Sequence, residues 1–188
     1  MTEPILLFSC REEWATWLEE NHSNSPGVWL RIAKKGRGLQ SVTYGEALEA
    51  ALCYGWIDGQ RRRESEEAFL QRFIRRTKKS IWSKVNRERV LALIESAEMK
   101  AAGLLEVERA KEDGRWEAAY DSFSRATAPP DFQMALDGNA RAKAFFATLN
   151  ARNRYAFLFR IQTAKKQETR QRRITEFVGM LAKKETFH

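Results

Sequence analysis

The sequence of 188 residues is poor in the residue types that build most catalytic and metal centres. It contains two cysteines, Cys10 and Cys53, and two histidines, His22 and His188. Two isolated cysteines provide neither a disulfide framework nor zinc-ligand spacing, and neither histidine is placed to pair with a nucleophile. Glycine-rich phosphate loops and His-Glu-x-x-His motifs are also absent from the sequence. We therefore expect no metal and no cofactor.

Long apolar runs are missing too. None approaches the roughly 18 residues that a membrane-spanning helix needs, and Glu3 stands where a signal peptide carries basic residues. Six tryptophans and a 43% hydrophobic content argue against disorder, because disordered chains lack large apolar side chains. These features predict a folded cytoplasmic protein without a membrane span, and they leave its oligomeric state open.

Alternating apolar residues predict strands in the N-terminal half. Val28–Ile32 and residues 68–76 both alternate with a period of two. A short extended piece, residues 56–58, follows Gly55 and ends at Gly59. These segments predict a small antiparallel sheet.

Helix signals surround these strands and dominate after them. Thr43 and Glu46 have the spacing of a capping box, and Ser80 is predicted to cap a helix that begins at Ile81. The last helix has the clearest apolar period, in Ile174, Phe177, Val178 and Leu181.

The fold class predicted from these patterns is α+β and mostly helical, with the sheet packed by helices. A chain of this length supports one buried core, so we expect a single domain, 1–188. Within it, residues 1–121 form the α+β part and residues 130–188 form a helical subdomain. The small, proline-containing stretch 122–129 is the loop between them.

The net charge of +8 is concentrated in two segments. Residues 61–89 hold 11 Lys and Arg against 4 Asp and Glu, and residues 160–184 hold 8 against 2. If the two segments converge in space, they form one field that attracts anions. The alternative is two ordinary solvated basic faces. In the second segment, cations lie near the first turns of the last helix, where they oppose the helix dipole. Either an anionic ligand or the acidic helix at 106–117 would compensate them.

A basic, aromatic-lined cleft that binds an anionic ligand is the leading functional hypothesis. Tryptophans adjoining cations would form its walls, and cations from both segments would contact the anion. The predicted ligand-binding residues are Trp56, Asp58, Arg72, Arg75, Trp82, Asn86, Lys165, Arg170 and Arg173.

Asp58 is a weak candidate for a catalytic residue. A carboxylate beside a tryptophan can be desolvated and can then act as an acid or base. The alternative is a structural carboxylate that caps a turn or pairs with an arginine such as Arg72 or Arg75.

Several motifs, in order along the chain, resemble those of the YdeI/OmpD-associated family of bacterial proteins, and the resemblance covers nearly the whole chain. It implies a small cytoplasmic protein linked by name to bacteriocin protection and envelope stress, with no assigned catalytic activity. One departure is residues 75–79, where a proline is expected. The motifs are Thr43-Tyr44-Gly45-Glu46-Ala47-Leu48, Cys53-Tyr54-Gly55-Trp56-Ile57-Asp58, Trp82-Ser83-Lys84-Val85-Asn86, Ala110-Lys111-Glu112-Asp113-Gly114-Arg115-Trp116, Pro130-Asp131-Phe132 and residues 164–174.

Two other functions stay open on the sequence. Basic residues interleaved with aromatics suit single-stranded nucleic acid, and the isoelectric point is about 9.7. An enzyme that uses Asp58 as its acid or base is the third hypothesis, although the sequence identifies no partner residue for it.

Overall fold

The computed structural model describes residues 3–187, so His188 lies outside the described residues. The chain divides into two compact units. Unit 1 comprises residues 3–81 and 86–116, and unit 2 comprises residues 82–85 and 117–187. The predicted organisation, a single domain whose two parts are joined by a loop at 122–129, stays a prediction.

Unit 1 contains the sheet and the helices packed on it, which confirms the α+β class. Its strands are β1 (Ile5–Leu6), β2 (Gly27–Ala33), β3 (Trp56–Arg63) and β4 (Ala68–Arg75), and its helices are α1 (Arg11–Asn21), α2 (Tyr44–Cys53), α4 (Ala101–Glu112) and, from Asn86 onward, α3 (Lys84–Glu95).

The four strands form one sheet in the order β1-β2-β4-β3. Strands β2, β4 and β3 are antiparallel neighbours, but β1 runs parallel to β2. The sheet is therefore mixed, which corrects the expectation of a wholly antiparallel one. The sequence also placed the end of the third strand too early, because β3 continues beyond Gly59 through a polar stretch to Arg63.

The register gives the sheet two faces of different character. Val28, Leu30 and Phe73 lie on one face, which we call the helix face because Trp14 of α1 packs on Phe73 with ring centroids 5.7 Å apart. The opposite face carries Trp29, which pairs with Arg72. Side chains alternate between the faces along each strand, so the register fixes the face of every residue considered below.

Local signals at the ends of the helices are partly confirmed. The Thr43–Glu46 capping box is present, with the Thr43 amide donating to Glu46 Oε2 at 2.9 Å. Ser80 does not cap α3, which begins at Lys84. Ser83, directly before this helix, instead forms an isolated parallel bridge with Tyr120.

Unit 2 is helical and has its own apolar core. Its helices are α5 (Pro130–Asp137), α6 (Ala140–Thr148), α7 (Ala151–Gln162) and α8 (Gln167–Ala182). As predicted, Ile174, Phe177 and Leu181 of α8 are buried, and they pack with side chains of the other three helices.

Candidate functional site

The nine residues predicted for the cleft divide between the two units. Trp56 and Asp58 lie in β3, Arg72 and Arg75 lie in β4, and Asn86 lies in α3, all in unit 1. The register places Asp58 on the helix face, opposite Phe73, and Arg72 on the opposite face. The others belong to unit 2, namely Trp82, Lys165, Arg170 and Arg173.

Both tryptophans of the predicted cleft are buried. Trp56 is 0% exposed and Trp82 is 2% exposed. The Trp56 indole packs edge-on against Trp17 at 5.9 Å and donates its N–H to the carbonyl of His22 at 3.1 Å. A buried ring offers no face to a ligand, so these side chains do not form an open wall in this structure.

The two arginines of β4 already have partners inside unit 1. Arg72 Nε donates to Glu3 Oε2 at 2.7 Å, and Arg72 Nη2 donates to Glu3 Oε1. This hydrogen-bonded pair lowers the pKa of Glu3. Arg75 Nη1 donates to the backbone carbonyl of Ser23 at 2.7 Å.

Arginines of α8 also have partners, inside unit 2. Arg170 holds Asp131 in a bidentate pair, with Nε–Oδ2 and Nη2–Oδ1 distances of 2.6 and 2.8 Å. Hydrogen bonding from Arg170 lowers the pKa of Asp131. Arg173 donates to the backbone carbonyl of Arg160, whereas Lys165 is exposed. Asp131 of α5 thus compensates Arg170, a partner that the sequence analysis did not name.

Asp58 has a hydrogen-bond partner that sequence reasoning missed. The Tyr44 hydroxyl, at the start of α2, donates to Asp58 Oδ2 at 2.8 Å. Burial raises the pKa of Tyr44 most, the Asp58 charge raises it further, and the charges of Arg89 and Arg61 act in the opposite direction. Both partners lie in motifs singled out above, but spacing alone does not reveal that they meet.

The arginines of β3 contrast with those of β4. Arg61 places its guanidinium carbon 3.5 Å from the centroid of the Phe69 ring, and Arg62 lies 4.3 Å from the Trp29 ring. Both arginines are exposed, and neither forms an ion pair within residues 3–187. We call Arg61 and Arg62 the β3 arginine pair.

The pair spans the edge of the sheet. Arg61 is opposite Gln71 on the helix face, and Arg62 is opposite Leu70 on the other face. A register shift between Asp58 and Arg61 precedes them, and β3 is an edge strand. Sequence reasoning missed the pair because it ended this strand at Gly59. The run of three arginines beyond Gly59 was the available signal.

The described residues contain no cluster of histidine, cysteine and carboxylate side chains that could hold a metal ion. Burial raises the pKa of Cys53, which keeps its thiol protonated. None of the described helices is long and apolar enough to cross a bilayer.

Comparisons with protein families divide the chain in the same region as its two units. The family described as "Bacteriocin-protection, YdeI or OmpD-Associated" matches residues 115–184, which confirms the resemblance for that segment. The motifs at residues 43–86 instead lie within residues 6–106, which match a different family. No curated protein and no solved structure matches the chain. Because the match to residues 6–106 covers more than half of the chain, the protein belongs to the family described as "Domain of unknown function (DUF8412)", and its C-terminal part carries the YdeI/OmpD-associated segment.

Proposed function

We propose that this protein binds an anionic ligand through the β3 arginine pair. One observation carries the proposal: two exposed guanidiniums each lie on an aromatic ring, and neither forms an ion pair or hydrogen bond with a carboxylate within the described residues. The charge of Arg62 acts on Glu3, but Glu3 is hydrogen-bonded to Arg72. Stacking on a ring restricts the side chain before a ligand arrives, so less conformational entropy is lost on binding. Arginine also presents several donors in a planar fork that suits phosphate and carboxylate oxygens.

The paired arginines are weaker candidates for the same role. An anion that binds Arg72 has to displace Glu3, and one that binds Arg170 has to displace Asp131. Each displacement loses hydrogen bonds between charged groups, which contribute about 1.5–3 kcal/mol. The nine-residue cleft stays a prediction, and the proposal here places the anion at Arg61 and Arg62.

The ligand should carry several anionic groups along a flexible chain. Arg61 and Arg62 lie on opposite faces of the sheet edge, so one compact anion cannot contact both guanidiniums. A chain that passes around the exposed edge of β3 reaches both. Inorganic polyphosphate is a suitable probe because it has many charges and no bases.

Calorimetric titration with polyphosphate at low salt tests the proposal. The double variant R61Q/R62Q should bind at least about tenfold more weakly than wild type, because two charge-assisted contacts are lost. R141Q/R152Q is the matched control, since it removes two exposed arginines of unit 2 and the same net charge. Equal losses in the two double variants would reduce the effect to net charge and would refute a site at β3.

A structural role for the pair gives a different result. Charged side chains on an edge strand prevent it from pairing with another sheet. If edge protection is the whole function of the pair, R61Q/R62Q should self-associate in sedimentation velocity while retaining polyphosphate affinity. The proposal instead predicts that monomeric R61Q/R62Q binds polyphosphate more weakly than wild type does.

Nucleic acid is the second candidate ligand, favoured by the consecutive arginines 61–63 on an exposed edge strand. A stacking platform for bases needs accessible rings, yet Trp29 and Phe69 are only 8% and 7% exposed. We therefore expect oligo-dT to bind no more tightly than polyphosphate of equal charge. Tighter binding of oligo-dT would favour the nucleic-acid function.

The physiological part of the proposal is a protective role in the bacterial stress response. It is supported by the family description, which names bacteriocin protection. Bacteria that depend on this protein for survival of a bacteriocin should lose protection with R61Q/R62Q and keep it with R141Q/R152Q. Full protection by R61Q/R62Q would separate that role from anion binding.

A further inference from the structure

Unit 2 contains a cavity that the β3 proposal does not use. It has a volume of about 370 Å³ and lies between the start of α7 and the loop that precedes α5. Phe123, Phe146, Tyr155 and Leu158 supply its apolar walls. This size is at the lower end of the range for small-molecule sites, about 300–1,000 Å³.

Hydrogen bonding and ring packing hold the aromatic walls in place. The Tyr155 hydroxyl donates to the backbone carbonyl of Asp121 at 3.1 Å. Burial raises the pKa of Tyr155 to about 12, so this donor remains protonated at neutral pH. Phe123 meets Tyr155 edge-on, with ring centroids 5.4 Å apart. Phe146 likewise meets Phe132 of α5 edge-on at 5.5 Å.

Phe123 is unusual because half of a large apolar ring remains exposed at the cavity. Its exposure is 52%, although it touches the Tyr155 ring. Covering it with a second aromatic group would remove apolar surface from water, which favours binding. Edge-to-face or offset contacts with the existing rings would add to that gain. The walls therefore favour an aromatic ligand.

Arg154 supplies a positive charge at the same cavity. It lies in the first turns of α7 and is exposed, and its side chain makes no ion pair or hydrogen bond within residues 3–187. The described residues that line the cavity include no aspartate or glutamate. A ligand carboxylate would therefore meet an uncompensated guanidinium without repulsion from a neighbouring acid.

We infer that this cavity binds a small aromatic carboxylate, with the ring between Phe123, Tyr155 and Phe146 and the carboxylate on Arg154. The observations are independent of the β3 arginine pair, which lies in unit 1. A chamber with aromatic walls and one cation selects a monoanion that has a flat apolar body. A flexible polyanion does not fit this description, so the two sites take different ligands.

Titration of the full-length protein with 1-naphthoate tests the inference, with 1-naphthamide as the uncharged analogue. Naphthoate should bind wild type at least about tenfold more tightly than the amide, because only naphthoate forms the charge-assisted contact. R154Q should remove that preference. R152Q is the matched control two residues earlier on the same helix, since Arg152 is exposed and does not line the cavity.

A second variant tests the aromatic wall separately. F123A should weaken binding of both probes by about three- to tenfold, because the exposed ring contact is lost. Absence of naphthoate binding at millimolar concentration would overturn the inference. So would equal binding by wild type and R154Q, or naphthoate binding that depends on Arg61 and Arg62.

Discussion

The arginines of this protein differ in what lies next to each guanidinium. Arg72 and Arg170 each hold a carboxylate in a two-point hydrogen-bonded pair. Arg61 and Arg62 instead lie on aromatic rings and remain open to solvent. The same side chain is therefore structural in one setting and available for a ligand in the other. Charge counted along the sequence does not distinguish these settings.

The Arg170–Asp131 pair predicts a pH-dependent stability difference. D131N should lower the free energy of unfolding by about 1 kcal/mol at pH 7, a value typical of a partly exposed pair. Because the folded-state pKa of Asp131 is lowered, its contribution is present above the unfolded-state value, about 3.9, and is lost as pH falls below it.

Denaturant titrations of wild type and D131N from pH 7 to pH 3 measure that difference. The two free energies should converge as the pH falls. E176Q, which alters an exposed carboxylate of α8 that forms no ion pair within residues 3–187, is the control. A difference between wild type and D131N that stays constant over this range would contradict the assignment.

Trp56 is predicted to stabilise the folded protein as part of its core. W56A removes a fully buried indole and its hydrogen bond to the His22 carbonyl. We expect it to lower the free energy of unfolding by about 3–5 kcal/mol, measured by denaturant titration. F123A removes a half-exposed ring and should cost much less. Similar costs for the two substitutions would show that Trp56 is not part of the core.

At the scale of elements, helices α2 and α4 of unit 1 approach each other closely at Gly103. A Cβ placed on Gly103 of α4 would lie 2.3 Å from the backbone oxygen of Cys53, at the end of α2. Backbone cannot move aside as a flexible side chain can. The glycine is therefore required by the close approach of α4 to α2.

This contact predicts opposite effects at two helical glycines. G103A should destabilise the protein by about 1–3 kcal/mol, as overpacking does. G179A in α8 should instead stabilise it by about 0.5–1 kcal/mol, because alanine favours helix and a Cβ there meets nothing within 4 Å. Thermal melting of each variant, compared with wild type, measures the two changes in stability. A neutral G103A would show that the two helices separate easily.

Elements with strong local signals were predictable from the sequence. The predicted strand at 28–32 lies within β2, and the one at 68–76 exceeds β4 by one residue. Gly55 adopts φ +73° after α2, as its predicted role at the helix end requires. The polar half of β3 was missed because its pairing with β4, and not an apolar alternation, makes it a strand.

At the scale of the whole molecule, the partners of charged groups could not be predicted. Arg72 pairs with Glu3 across 69 positions of sequence, and Arg170 pairs with Asp131 across 39. Tyr44 reaches Asp58 only because α2 leads back to the sheet. Such pairs depend on tertiary packing, whereas composition and spacing report only local structure. The sequence therefore led to the hypothesis of an anion-binding function, but it did not show which cations lack a carboxylate partner.

The most direct measurement of the central claim is an NMR titration with polyphosphate that follows the arginine Nε–Hε resonances. The β3 arginine pair should respond, since a bound anion adds hydrogen bonds to Arg61 and Arg62. The resonances of Arg72 and Arg170 should stay in place because their carboxylate partners are retained. Movement of the Arg72 and Arg170 resonances, with those of Arg61 and Arg62 unchanged, would contradict the account.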